Sequence, residues 1–144
     1  MIVHRPEAIS RRPSCVLLDL DNTLYSYAPC NEAGMAAAAD LAQRQLNLAP
    51  ADFAQCFRDA RAQLKADLGK TASSHNRLLY FQRTLERAGF ASQPGIALQL
   101  EQAFWRGYLD AIDLFPGVLP FLHDLRIAGI PVVIVTDLTA QIQM

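Results

Sequence analysis

The sequence has little of what marks a membrane, secreted or nucleic-acid-binding chain. No apolar run approaches the ~20 residues that cross a bilayer, and none sits near the N-terminus as a signal peptide would require. Arg5, Arg11 and Arg12 make the first residues basic, but Pro6, Glu7 and Pro13 among them suit a loose arm over 1–14 better than a transit helix. Cysteine is sparse: Cys15, Cys30 and Cys56 are an odd number without C-x-x-C spacing. They read as reduced thiols of a cytoplasmic protein, not as a disulfide framework. His4, His75 and His123 lie too far apart to complete a zinc site with them. Thirteen basic and fourteen acidic side chains leave a net charge of −1, which excludes a broad basic nucleic-acid footprint. Repeats and low-complexity tracts are absent. What the chain does have is 144 residues, 51% of them hydrophobic and 19% charged. That is enough apolar surface for a folded core and too much for disorder.

Two short apolar runs read as strands. Cys15–Leu20 (CVLLDL) is bounded by Pro13 and by Asp21-Asn22, and is predicted to be buried. Pro131–Thr136 (PVVIVT) is rich in β-branched residues, which favours strand over helix. Between them the pattern is helical. Asn31–Leu46 is alanine-rich. Pro50 suits the first turn of a helix running to Leu68, with Gly69 as its stop. Ser73 or Ser74 is a candidate cap for a third helix, with Leu78, Phe81, Leu85 and Ala88 as its apolar stripe and Gly89 as its end. A fourth opens at Ser92 and Pro94 and carries Leu100, Phe104 and Tyr108 at i, i+4 spacing. After Phe115-Pro116-Gly117, a short amphipathic helix with Leu119, Leu122, Leu125 and Ile127 ends at Gly129. The last helix and strand form half of a βαβ unit, which implies a parallel sheet. Four helices are too many for one crossover, so Tyr27–Asp113 is predicted to be an inserted helical subdomain over the end of the sheet. The fold class is therefore α/β.

The chemistry concentrates where the strands end. Asp19 and Asp21 stand one residue apart at the exit of the first strand and project from one face of an extended chain. Open α/β sheets place their ligands at such strand ends. One carboxylate can act as a nucleophile and the other as general acid and base, and the pair can also hold a hard cation such as Mg²⁺. The alternative reading is a turn or a helix cap. A calcium loop fails, because Leu24 stands where the sharp-turn glycine belongs and Cys30 where the bidentate glutamate belongs. Thr136-Asp137 ends the second strand, where a hydroxyl and free backbone N–H groups can hold an anion; the alternative is an N-cap alone.

LLDLDNTLY (residues 17–25) and LFPGVLPFLHDLRIAGIPVVIVTD (residues 114–137), separated by a helical insert, resemble the first and second motifs of the haloacid dehalogenase-like hydrolase superfamily. The resemblance implies a Rossmann-like parallel core sheet over residues 15–26 and 114–144, truncated here, and a four-helix cap over 27–113. It implies that Asp19 is a nucleophile forming an aspartyl-phosphate. Asp21 would protonate the leaving group and then activate water. Asp19 through its carboxylate and Asp21 through its carbonyl would bind Mg²⁺. Thr136, with Asp137 beside it, would bind the phosphoryl group. Dehalogenases of the family lack the second aspartate, so the implied activity is a Mg²⁺-dependent phosphatase acting on a small phosphorylated metabolite such as a nucleotide or sugar phosphate. The alternatives are a phosphotransferase or mutase on the same residues, or a non-catalytic binding or dimerising remnant. No nucleic-acid or membrane partner is implied, and no oligomeric state follows.

The family's third-motif lysine and fourth-motif acidic pair have no counterpart: the lysines are Lys65 and Lys70, both in the expected cap. The sequence is therefore expected to be a fragment, inactive or nearly so alone. Among weaker candidates, Tyr25, Tyr27 and Asn31 either line an entrance or pack. Arg77, in Ser74-His75-Asn76-Arg77, either reaches a substrate phosphate or carboxylate or belongs to a solvated helix end. Trp105 and Tyr108 read as core, His123 as surface, and Cys30 and Cys56 as small hydrophobes.

Overall fold

A computed structural model describes residues 12–136. Their order is β1 (Val16–Leu18), α1 (Tyr27–Leu46), α2 (Pro50–Leu68), a 3₁₀ turn (Ala72–His75), α3 (Arg77–Arg87), α4 (Pro94–Asp110), α5 (Val118–Ile127) and β2 (Val132–Ile134). The described residues divide into two compact units, 12–26 with 113–136, and 27–112.

The first unit is α/β. β1 and β2 pair in parallel, with Val16 opposite Val132, Leu17 opposite Val133 and Leu18 opposite Ile134. Backbone bonds from Val16 N to Pro131 O (3.0 Å) and from Val135 N to Leu18 O (2.8 Å) extend the ladder at both ends. The strands are shorter than their apolar runs, and the burial expected of the first is only partial, while the second is exposed. Leu17 is 64% and Val133 47% exposed. A parallel strand is buried only when both sheet faces are covered, and the described residues supply two strands and one helix. α5 likewise buries only Leu125. Two glycines set its ends. Gly117 precedes it at φ 91°, where a side chain would be strained. Gly129 follows it at φ 63°, and the Ile130 N–H closes the last turn on Leu125 O at 2.9 Å. The segments that leave and re-enter this unit are joined by a bond from Phe115 N to Leu24 O (2.9 Å) and by an antiparallel bridge between Tyr25 and Leu114.

The second unit is a four-helix bundle. α1 begins four residues earlier than the sequence suggests, because Pro29 falls in its first turn, where a missing N–H costs no helical bond. α1 packs most extensively on α4. Its small residues explain that: a Cβ built on Gly34 would lie 2.8 Å from the Phe104 ring, and one on Gly107 2.9 Å from Ala37 Cβ. The helices can therefore approach to a separation that larger residues would forbid. The core is aromatic. Phe53, Phe57, Tyr80, Phe81, Phe104 and Tyr108 are buried, and Phe81 has ring centroids 6.2 Å from Phe53, 5.3 Å from Phe57 and 6.1 Å from Phe104. Each such side chain is worth roughly 1.5–3 kcal/mol of burial.

α3 departs from expectation in two ways. Its cap is Asn76, whose side chain accepts from Leu79 N at 3.1 Å; Ser73 and Ser74 lie in the 3₁₀ turn instead. Ser74 is buried there with its hydroxyl donating to Thr71 O at 2.7 Å. The buried stripe is Tyr80, Phe81, Thr84 and Leu85, rotated from the predicted one. Thr84 tolerates full burial because its hydroxyl donates to Tyr80 O at 2.7 Å. No helix among the described residues is long and apolar enough to cross a membrane.

Candidate active site

The loop after β1 folds back on itself. Leu20 O accepts from both Thr23 N (3.1 Å) and Leu24 N (2.9 Å), and Asn22 takes the left-handed conformation at φ 58° that lets the chain reverse. This turn leaves two carboxylates in different surroundings. Asp19 is exposed, and its Oδ2 accepts from Thr23 Oγ1 at 3.3 Å. Asp21 is half-buried, and its Oδ1 accepts from Tyr25 Oη at 2.7 Å. Tyr25 is buried, so this donor is fixed in place. One carboxylate thus stays open for reaction while the other is oriented by a rigid phenol.

Thr136 lies just past β2, beyond the pairing of Leu18 with Ile134, so it leaves the same end of the parallel ladder as Asp19. Asp137 lies outside the described residues. The sequence flagged Asp19, Asp21 and Thr136 but offered no role for Thr23 and only a generic one for Tyr25. The available signal was spacing: each stands four residues after the carboxylate it bonds, the separation that one turn of reversed chain brings together.

The oxygens here suit a hard cation in part. Among the described residues no group of three or more His, Cys, Asp or Glu side chains could hold a metal ion. The Asp19 carboxylate and the Asp21 main-chain carbonyl offer two oxygen donors, consistent with Mg²⁺, which favours few protein ligands completed by water and phosphate oxygens.

Arg77 is not on a solvated helix end. In the helical unit its guanidinium is half-buried over the Phe104 ring, with Tyr27 and Asn31 as acceptors. Burial lifts the carboxyl of nearby Glu101 above its ordinary 4.5, against the opposing pull of the Trp105 indole N–H, the Arg77 charge and the Leu78 backbone. His123 is exposed and Cys30 buried, as their settings in the sequence suggest.

No family model matches the chain. A curated protein of Halopiger xanaduensis, ribulose-1,5-bisphosphate 5-phosphatase, is 43% identical over 132 residues, covering 91% of this chain and 55% of that protein. Among solved structures, a 2-haloacid dehalogenase from Pseudomonas syringae pv. tomato aligns with a TM-score of 0.70 at 23% identity, covering 90% of this chain and 57% of that one. A HAD-hydrolase from Bacillus subtilis, YfnB, solved with bound magnesium, aligns with a TM-score of 0.54 at 22% identity, over 92% of this chain and 57% of that one. The chain thus spans little more than half the length of each.

Proposed function

We propose, from the fold shared with haloacid dehalogenase-like structures and from the phosphatase relative, that the protein this chain represents is a Mg²⁺-dependent phosphatase of a small phosphorylated metabolite. The observation that carries the reading is the pair of unlike carboxylates, Asp19 open and Asp21 held by Tyr25. Asp19 attacks phosphorus, forming an Asp19 Oδ–P bond as the ester P–O bond breaks. Asp21 gives its proton to the departing alkoxide oxygen. It then takes a proton from water as the water oxygen attacks the same phosphorus, which breaks the Oδ–P bond, releases phosphate and restores both side chains. Thr136 donates a hydrogen bond to the phosphoryl oxygens. Thr23 holds the unused Asp19 oxygen, so that one oxygen faces the substrate.

Mg²⁺, when bound through the Asp19 carboxylate and the Asp21 carbonyl, supplies the positive charge that an anionic nucleophile and an anionic phosphate need between them. The two lysines, Lys65 and Lys70, both belong to the helical unit. The substrate class follows the phosphatase relative, whose name specifies a sugar bisphosphate. The test is phosphate release from ribulose 1,5-bisphosphate and a panel of nucleotide and sugar monophosphates, with Mg²⁺ and with chelator. Mg²⁺-dependent release from a sugar phosphate is expected. Release indifferent to chelator, or from none of the panel, would contradict the reading.

A further inference from the structure

The helical unit holds a cation that its own side chains leave incompletely satisfied. Arg77 opens α3, and its guanidinium carbon sits 3.9 Å from the centre of the Phe104 ring and 5.4 Å from that of Trp105. Nη2 donates to Tyr27 Oη at 3.2 Å and to Asn31 Oδ1 at 3.3 Å. The Tyr27 hydroxyl itself donates to the same Asn31 oxygen at 2.9 Å. Both acceptors are neutral, and the Asn31 oxygen is shared. Arg77 Nε is buried without an acceptor, and the buried indole Nε1 of Trp105 faces only the Glu101 carboxyl, outside full hydrogen-bond geometry. The ion pairs among the described residues are Arg44–Asp40 and Arg83–Glu86, so the guanidinium has no carboxylate of its own.

A guanidinium does not lose its proton to escape a poor environment, and a half-buried charge is costly unless it is paired. The aromatic face meets part of the need through cation–π attraction. It cannot accept the in-plane N–H groups, which form a fixed fork matched to two oxygens of one anion. Glu101 is the internal candidate that feels this charge. Yet it forms no ion pair with Arg77, and burial works against its ionised form. A buried N–H of a permanent cation, beside an indole N–H whose one facing carboxyl is disfavoured in its ionised form, therefore calls for an acceptor that brings its own negative charge.

We infer that Arg77 and the Trp105 indole N–H form an oxyanion-binding site within the helical unit, taking a phosphate or carboxylate group. Tyr27, Asn31 and Phe104 fix the plane of the guanidinium, so that the fork is organised before the anion arrives. Such a site depends on the helical unit alone. It can bind whether or not Asp19 is a nucleophile, and turnover can fail without removing it.

Trp105 is the single tryptophan of the chain, so its fluorescence reports the site directly. The experiment titrates the 144-residue chain with inorganic phosphate, and separately with acetate, at constant ionic strength. A saturable change in Trp105 emission is expected with at least one of the two; phosphate alone marks a phosphate site, and both mark a general oxyanion site. Arg77→Lys keeps the charge and the stem but loses the fork, and should weaken binding about tenfold. Arg77→Gln should abolish it, with circular dichroism checking the fold; should that variant unfold, Arg77→Lys still decides. A flat response to both anions, or wild-type affinity in Arg77→Lys, would overturn the site.

Discussion

At the scale of single residues, the two carboxylates matter less as a pair than through the partners that make them different. Asp21 is anchored by the buried Tyr25 hydroxyl, whereas exposed Asp19 accepts a longer bond from Thr23. A hydrogen bond to a charged group is worth about 1.5–3 kcal/mol. If Asp21 transfers the proton as proposed, Tyr25→Phe should lower kcat by roughly tenfold or more while moving KM little, because the lost bond orients Asp21 and not the substrate. Steady-state kinetics decides this, and an unchanged kcat would contradict the role. The sequence singles out Asp19 and Asp21 because a strand end followed by D-x-D is a local pattern. It does not single out Tyr25's role or the Arg77 cluster. Tyr27, Asn31, Arg77, Glu101 and Trp105 meet only through the packing of α1, α3 and α4, and nothing in their separations announces it. Glu101 gives a second test at this scale. Burial raises its carboxyl above 4.5, so the folded chain holds that proton to higher pH than the unfolded chain does. Its contribution to stability is thus fully present below that value and is lost as pH rises through the higher folded-state value. Denaturant midpoints compared between about pH 4 and 7 should show the wild type losing stability relative to Glu101→Gln as pH rises. Parallel curves would show that the carboxyl is not perturbed.

At the scale of elements, the helices followed the sequence closely where backbone chemistry set their limits. Pro50 and Pro94 open α2 and α4, and Gly69 stops α2. Errors arose where a competing local bond prevailed. Asn76 displaced the two serines as the α3 cap because its side chain reaches Leu79 N, while Ser74 spends its hydroxyl on Thr71 O. The contact between α1 and α4 rests on absent side chains. Gly34→Ala gains up to about 1 kcal/mol of helix propensity. It also places a methyl 2.8 Å from the Phe104 ring and main-chain oxygen, so a net destabilisation of about 1–2 kcal/mol is expected. Gly95→Ala, in the first turn of α4 with nothing within 4 Å, is the control and should be neutral or stabilising. Urea midpoints compare the two, and equal effects would show that helix approach does not depend on Gly34.

At the scale of the whole molecule, the two units differ in how well they cover their apolar surface. The helical unit encloses its aromatic core, whereas the α/β unit exposes Leu17, Leu119, Phe121, Ile127 and residues 132–135. The strand sequences announced a parallel sheet correctly, but not its exposure, because among the described residues this unit sets only α5 beside the two strands. Open edges and apolar strand faces favour association. Sedimentation of the 144-residue chain should show mass rising with concentration, and Val133→Lys should reduce it; a monomer at all concentrations would count against this. The central claim, however, is that Asp19 is a phosphoryl acceptor. Its most direct test is mass spectrometry of the peptide containing Asp19 after rapid acid quench of the protein turning over a phosphorylated substrate with Mg²⁺. The account predicts one added phosphoryl group on Asp19, lost in Asp19→Asn with the fold retained. Turnover with Asp19 never modified, or undiminished in Asp19→Asn, would contradict it.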